Sequence, residues 1–281
     1  MHIACDCHFC PAGADVNATQ DDGVSCLYSA VHFGHADVVH LLVTHGADVN
    51  RCNSDNLSPL HLAAADGNRK IMKILMEAGA ALERKTTSGE TPLSSAINAQ
   101  QCGSVRSLIH AGANIHEVDE YGWCPLNLAS SIGNIDVIRL LLDNGCHVNR
   151  LIASGTALHV AAGSGHLKVV RYLHTRGAHI NSSDDCGSSP LHYAAQHGHV
   201  SVVEYLVQSG VNVNVRQQEG ATPLYVATYY GQFDVMKLLI GLGADINVTD
   251  RASCSLADVA RLRQNWTALH ILESAKNSLI I

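Results

Sequence analysis

Ser189-Pro190-Leu191-His192-Tyr193-Ala194-Ala195-Gln196-His197-Gly198-His199 reads as one short helix with its start and its stop written in. A hydroxyl residue before proline is a helix start: the side-chain oxygen accepts a free backbone N–H, and proline at the first helical position forfeits no bond. Leu191, Ala194 and Ala195 follow at helical spacing, with small residues on one side where a neighbour can approach closely. Gly198 ends the run, since glycine takes the left-handed cap conformation freely. Val202-Val203-Glu204-Tyr205-Leu206-Val207 predicts a second helix, which stops at Gly210. The Asn-rich and Gly-containing segment after it reads as an extended arm with a tight turn.

This pattern returns along the chain. Ser58-Pro59-Leu60-His61-Leu62-Ala63-Ala64, Thr91-Pro92-Leu93, Thr156-Ala157-Leu158-His159-Val160-Ala161-Ala162 and Thr222-Pro223-Leu224-Tyr225-Val226-Ala227 keep the same register. A second string, Gly-Ala-Asp-Val-Asn at 13–17 and 46–50, recurs in variants led by Gly79, Gly112, Gly145, Gly177, Gly210 and Gly243. Those glycines lie 33 residues apart, except for one step of 32. A third string, Gly-His or Gly-Asn, sits at Gly34-His35, Gly67-Asn68, Gly133-Asn134, Gly165-His166 and Gly198-His199. Each period is therefore helix, helix and projecting hairpin. Such a unit cannot bury its apolar face alone, so stacking must supply the core.

The register divides the chain into a truncated N-terminal repeat at 1–17, seven full repeats within 20–247, a degenerate capping repeat at 250–276 and a frayed tail at 277–281. Three departures stand out. The third repeat has Gln100-Gln101 where Gly-His is expected and Ser94-Ser95 in its first helix, which makes it the expected loosest joint. The fifth is one residue short between Asn149 and Thr156, which should retract one hairpin tip. The first has Cys26 in place of proline.

On these motifs the sequence resembles the ankyrin repeat family over nearly its whole length. The resemblance implies an all-α repeat solenoid of stacked helix–turn–helix units with projecting β-hairpin loops. It also implies a non-catalytic module, a scaffold or adaptor, that binds a protein or peptide partner in a concave groove. A narrower version is the substrate receptor of a ubiquitin ligase; such receptors usually carry an adaptor-recruiting box after the repeats, and none follows here. In similar proteins the partner meets the hairpin tips and the ends of the first helices. Carried onto this register, the tips give Asp21, Asp22, Asp55, Glu120, Tyr121, Trp123, Asp185 and Glu219. The helix ends give His32, Phe33, Asp66, Ser131, Ile132, Gln196, His197, Tyr229 and Tyr230. Aromatic residues are 5% of the chain, yet Phe33, Tyr121, Trp123, Tyr229 and Tyr230 fall in this set, where burial does not readily account for them. The acidic tips point to a partner with basic and apolar features.

Composition agrees with that picture. Apolar residues are 47% of 281, enough for a sizeable core, and charged residues only 15%. With 18 Lys and Arg against 25 Asp and Glu, the formal charge of −7 argues against nucleic acid, which needs a basic footprint. Nucleic-acid recognition is the weaker alternative. The ten cysteines are scattered, no secretory signal is visible, and the longest apolar stretches run a few residues. The expected protein is a monomer in the cytoplasm, with the nucleus as the other compartment, and it has no membrane contact.

Eighteen histidines invite a catalytic or metal reading, but the register dissolves it. His61, His159 and His192 hold the helix-start motif, while His35, His166 and His199 follow the cap glycine. Recurring once per repeat, they are structural positions and converge on no pocket. Cys5, Cys7, His8 and Cys10 form the one dense ligand-like cluster, without a second ligand pair to close a zinc site. Asn17, Asn56, Asn181, Asn247 and Asn265 match a glycosylation acceptor, three of them only as the last residue of the Gly-Ala-Asp-Val-Asn string. No catalytic motif, cofactor or metal site is expected.

Overall fold

A computed structural model gives the structure of the protein and describes residues 15–20, 23–153 and 155–278. The cysteine cluster at 5–10, most of the truncated repeat, Asp21 and Asp22 lie outside the described residues. The described residues form sixteen helices in eight pairs. They are α1 (Cys26–His32) with α2 (Ala36–Thr44), α3 (Pro59–Ala65) with α4 (Arg69–Glu77), α5 (Pro92–Asn98) with α6 (Cys102–His110), and α7 (Pro125–Ile132) with α8 (Ile135–Asp143). Next come α9 (Ala157–Gly163) with α10 (Leu167–Thr175), α11 (Pro190–His197) with α12 (Val200–Gln208), α13 (Pro223–Tyr230) with α14 (Phe233–Gly241), and α15 (Leu256–Leu262) with α16 (Trp266–Ser278).

Most of these helices have seven to nine residues, too few to hold together alone in water. Packing holds them. The chain forms two compact units, residues 1–128 and 129–281. In the first, α1 packs on α3 and α3 on α5, with α2, α4 and α6 stacked behind them. In the second, α9, α11, α13 and α15 stack in sequence, and α8, α10, α12, α14 and α16 form the other layer. Ala63, Ala64, Ala96, Ala161, Ala162, Ala194, Ala195 and Ala227 are wholly buried, as their small size at first-helix contacts requires. Ile71, Met72, Leu75, Val105, Leu108, Ile138, Leu141, Leu173 and Leu206 fill the space between the layers. Each such side chain removed from water contributes about 1.5–3 kcal/mol.

Three polar devices join neighbouring repeats. The first is the helix-start histidine. The Ser58 N–H donates to His61 Nδ1 at 3.2 Å, and His61 Nε2 lies 3.0 Å from the Glu90 carbonyl in the next hairpin. His159 does the same between Thr156 and Ser188, and His192 between Ser189 and Ala221. The second device is the residue after the cap glycine: His166 Nε2 reaches the Ser131 carbonyl at 2.8 Å, and His199 Nε2 the Gly163 carbonyl at 2.8 Å. The third is the asparagine that closes the Gly-Ala-Asp-Val-Asn string. Asn50 donates its amide to the Gly79 carbonyl at 3.2 Å and accepts the Ala81 N–H at 2.7 Å. Asn17 and Asn149 make the same pair of bonds.

The departures are absorbed locally. Gln100 takes the left-handed conformation (φ 56°) that glycine holds elsewhere, and Ser94 Oγ accepts the Thr91 N–H at 2.7 Å in place of histidine. In the ordinary arms a backbone bond closes the tip over five residues, as from Asn53 N–H to the Leu57 carbonyl and from Asp184 N–H to the Ser188 carbonyl. In the short repeat the bond runs from Ile152 N–H to Gly155 over four, so the missing residue is taken from the turn. Extended structure is confined to isolated bridges at Thr19–Ser25, Ile152–Gly155 and Thr249–Ser255 among the described residues.

Candidate partner-binding surface

In the first unit the arms abut. The Asp55 carbonyl accepts the Thr87 N–H at 3.0 Å, and a Cβ on Gly89 would come within 2.9 Å of the Glu120 side chain. Asp55, Glu120 and Tyr121 are all exposed there, Tyr121 to 71% of its surface. Trp123 is half-buried, and one carboxylate oxygen of Asp119 accepts both the Tyr121 and the Trp123 N–H. That bond pair ties the turn to Asp119. At the helix ends of this unit, Asp66 caps α3 in the open, and His32, Phe33 and His35 make a run of ring contacts with Phe33 59% exposed.

The second unit holds the remaining candidates. Asp185 and Glu219 are exposed on neighbouring tips, where their carbonyls accept from Gln218 Nε2 and the Arg251 N–H. Ile132 is half-buried at the end of α7. His197 is exposed, bonds the Tyr193 carbonyl and stacks on His199 at 6.2 Å. Tyr229 and Tyr230 end α13 edge to face at 5.1 Å, exposed to 41% and 50%, with the Arg263 guanidinium 4.5 Å above the Tyr229 ring. The tyrosines on the helix-start motif face inward instead: Tyr193 donates to Asp184 at 2.9 Å and Tyr225 to Asp250 at 2.7 Å, tying each helix to an arm.

The two barest of the exposed apolar side chains that escaped the sequence reading lie near the C-terminal end. Leu262 and Trp266 are bare on the last helix pair, to 76% and 67%. The signal was present: Leu262-Arg263 stands 33 residues after Tyr229-Tyr230, and Gln264 holds a positive φ (54°) where Gly231 does. Glutamine stands where glycine marks the helix end in most other repeats, so the register was read here but the helix-end pair was not singled out.

The chemistry of the interior is structural. Burial pushes the imidazoles of His61 and His159 below the ordinary histidine value and that of His192 down to about 4, with the bonds to backbone carbonyls opposing it. Each is therefore neutral at physiological pH, which suits a ring that accepts at Nδ1 and donates at Nε2. No group of three or more His, Cys, Asp or Glu among the described residues is placed to hold a metal ion. Asn17 spends both ends of its amide on the next repeat, so its glycosylation motif is part of the scaffold.

Stacked helix pairs of this length, joined at these positions, define a repeat protein of the kind that presents loops to partners. The ankyrin-repeat family model matches residues 2–86, 45–119, 93–184 and 158–250, and the chain belongs to that family. Among solved structures it is similar to the ankyrin repeat domain of human ASB11, at 26% identity and a TM-score of 0.71, over 79% of this chain and 99% of that one. No curated protein sequence matches. Ankyrin repeats are in general protein–protein interaction modules, and no helix among the described residues is long and apolar enough to cross a membrane.

Proposed function

We propose that the chain is a non-catalytic scaffold or adaptor that holds a protein or peptide partner against its arm tips and first-helix ends. One observation carries this reading: the large aromatics Phe33, Tyr121, Tyr229 and Tyr230 stand at those positions with 41–71% of their surface in solvent. Tyrosine and arginine are the usual anchors of interfaces, since they give large contact area at small entropic cost. The candidate set is His32, Phe33, Asp55, Asp66, Tyr121 and Trp123 in the first unit. In the second it is Ile132, Asp185, His197, Glu219, Tyr229 and Tyr230. We read the protein as a monomer of the cytoplasm or nucleus.

The test is a proximity-labelling comparison of the native chain with a Trp123→Ala, Tyr229→Ala, Tyr230→Ala variant shown to be equally folded. A partner labelled by the native chain and missing from the variant supports the reading. A partner set unchanged in the variant overturns it and moves the search to the second-helix faces.

A further inference from the structure

Tyr121 differs from several tyrosines of the second unit in what faces its ring. In the second unit guanidinium groups of the chain itself lie over tyrosine faces: Arg263 over Tyr229 at 4.5 Å, Arg171 over Tyr205 at 4.8 Å and Arg176 over Tyr172 at 5.6 Å. Among the described residues no such cation lies over Tyr121, the most exposed tyrosine of the chain. The charge around it is of the wrong sign to supply one. Residues 1–128 carry 7 Lys and Arg against 14 Asp and Glu, a balance of 7 − 14 = −7, whereas residues 129–281 carry 11 against 11. The whole net charge of the molecule sits in the first unit.

At its tips the nearby bases are already engaged. Lys85 pairs with Glu117 at 2.6 Å, and Arg84 donates to the Asn56 amide oxygen at 2.9 Å. Glu120 stays exposed next to Tyr121 in the chain, and Asp55 stays exposed on the arm beyond the intervening 86–89 loop, which abuts both arms.

We infer that the arm tips of the first unit take a basic, arginine-bearing segment of the partner, with a guanidinium over the Tyr121 ring and further basic side chains along Glu120 and Asp55. This rests on the interaction reading above and names the partner's chemistry at one of its surfaces. A guanidinium suits the place because it is planar, weakly hydrated, and stacks on a ring while its edge donates to carboxylates. The surrounding field also raises the rate at which a basic segment arrives.

The probe is a short fluorescein-labelled peptide of alternating arginine and leucine, with a second peptide carrying neutral citrulline for every arginine. Both are titrated against the full chain by fluorescence anisotropy at low and moderate salt. The arginine peptide is expected to bind, more weakly as salt rises, and the citrulline peptide not to bind. Tyr121→Ala should weaken the arginine peptide about threefold to fivefold. Asp55→Lys with Glu120→Lys should weaken it about tenfold or more at low salt, and Val200→Ala, at an exposed second-helix position outside the candidate surface, should change nothing.

Equal binding of the two peptides, no binding of the arginine peptide, or sensitivity to Val200→Ala with none to Tyr121→Ala overturns the assignment. The two readings fail differently. A labelled partner that is lost from the aromatic variant but indifferent to reversal of Asp55 and Glu120 overturns the basic segment alone. A partner set unchanged in the aromatic variant overturns the interaction reading.

Discussion

The two compact units share one interior and differ in almost everything that faces water. Both bury the same Leu, Ile, Val and Ala positions completely and cap their first helices with Ser or Thr. Yet one unit is seven charges negative and the other is neutral. The fold is thus set by the buried register and is indifferent to the sign of the surface. That separation frees arm tips and helix ends to vary with the partner. The polar joints differ too: among the described residues the first unit has one bridging histidine at a helix start, His61, while the second has His159 and His192 in consecutive repeats.

The largest effect should come from those joints. His192→Ala leaves the Ser189 N–H and the Ala221 carbonyl without their partner and opens a cavity at a residue only 2% exposed. A loss of about 3–4 kcal/mol is expected by urea unfolding. A loss no larger than that of a surface substitution would show that the histidine joint is not what holds these repeats together.

Acid should separate the units next. His192 binds its proton near pH 4 when folded and near 6.5 when unfolded, so the unfolded chain takes up protons first as the pH falls. The stability it contributes is complete above about 6.5 and is lost between there and about 4, on the order of 3 kcal/mol for that ring. His159 in the second unit and His61 in the first are shifted in the same direction, so two such rings in consecutive repeats stand against one. Hydrogen exchange at pH 7, 5.5 and 4.5 should show amides of α9 and α11 losing protection before those of α3 and α5. Simultaneous loss would break the comparison.

The smallest effect concerns the caps. Gln100 holds a left-handed backbone that glycine adopts freely, so Gln100→Gly should gain about 0.5–1 kcal/mol. In the second unit the reverse exchange, Gly133→Ala, should destabilise, because its Cβ would fall 2.8 Å from the His166 ring. Thermal unfolding of both variants reads the two signs.

Much of this was legible in the residues. The Ser/Thr-Pro pairs mark the starts of α3, α5, α11 and α13, and the 32-residue step is the four-residue turn at Ile152. The histidines proved readable as joints because they fall at fixed places in the period, a signature that convergent catalysis does not leave. Gln100 announced a departure but not its outcome, since nothing local tells whether a side chain will accept a left-handed backbone or the cap will open. Exposure was less legible. Tyr121 and Trp123 flank Gly122 at one tip and both give their N–H to Asp119, yet one is bare and the other half-buried, a difference that neither residue type nor register position signals. The division of charge was visible only after the fold gave the chain its boundary.

The asparagine joints have one more consequence, which belongs to the ageing of the protein. Asn50 works at both ends, its NH₂ group facing the Gly79 carbonyl and its oxygen facing the Ala81 N–H. Deamidation would keep the acceptor and turn the donor into a carboxylate oxygen set against a carbonyl, so one atom exchanged would reverse half the joint. Glu83, which stands at this position in its repeat, shows the surviving half: its carboxylate accepts the Asn114 N–H at 2.7 Å. Slow hydrolysis of side-chain amides is thereby aimed at the seams between repeats, while the Leu, Ile, Val and Ala side chains packed inside them offer it no bond to attack.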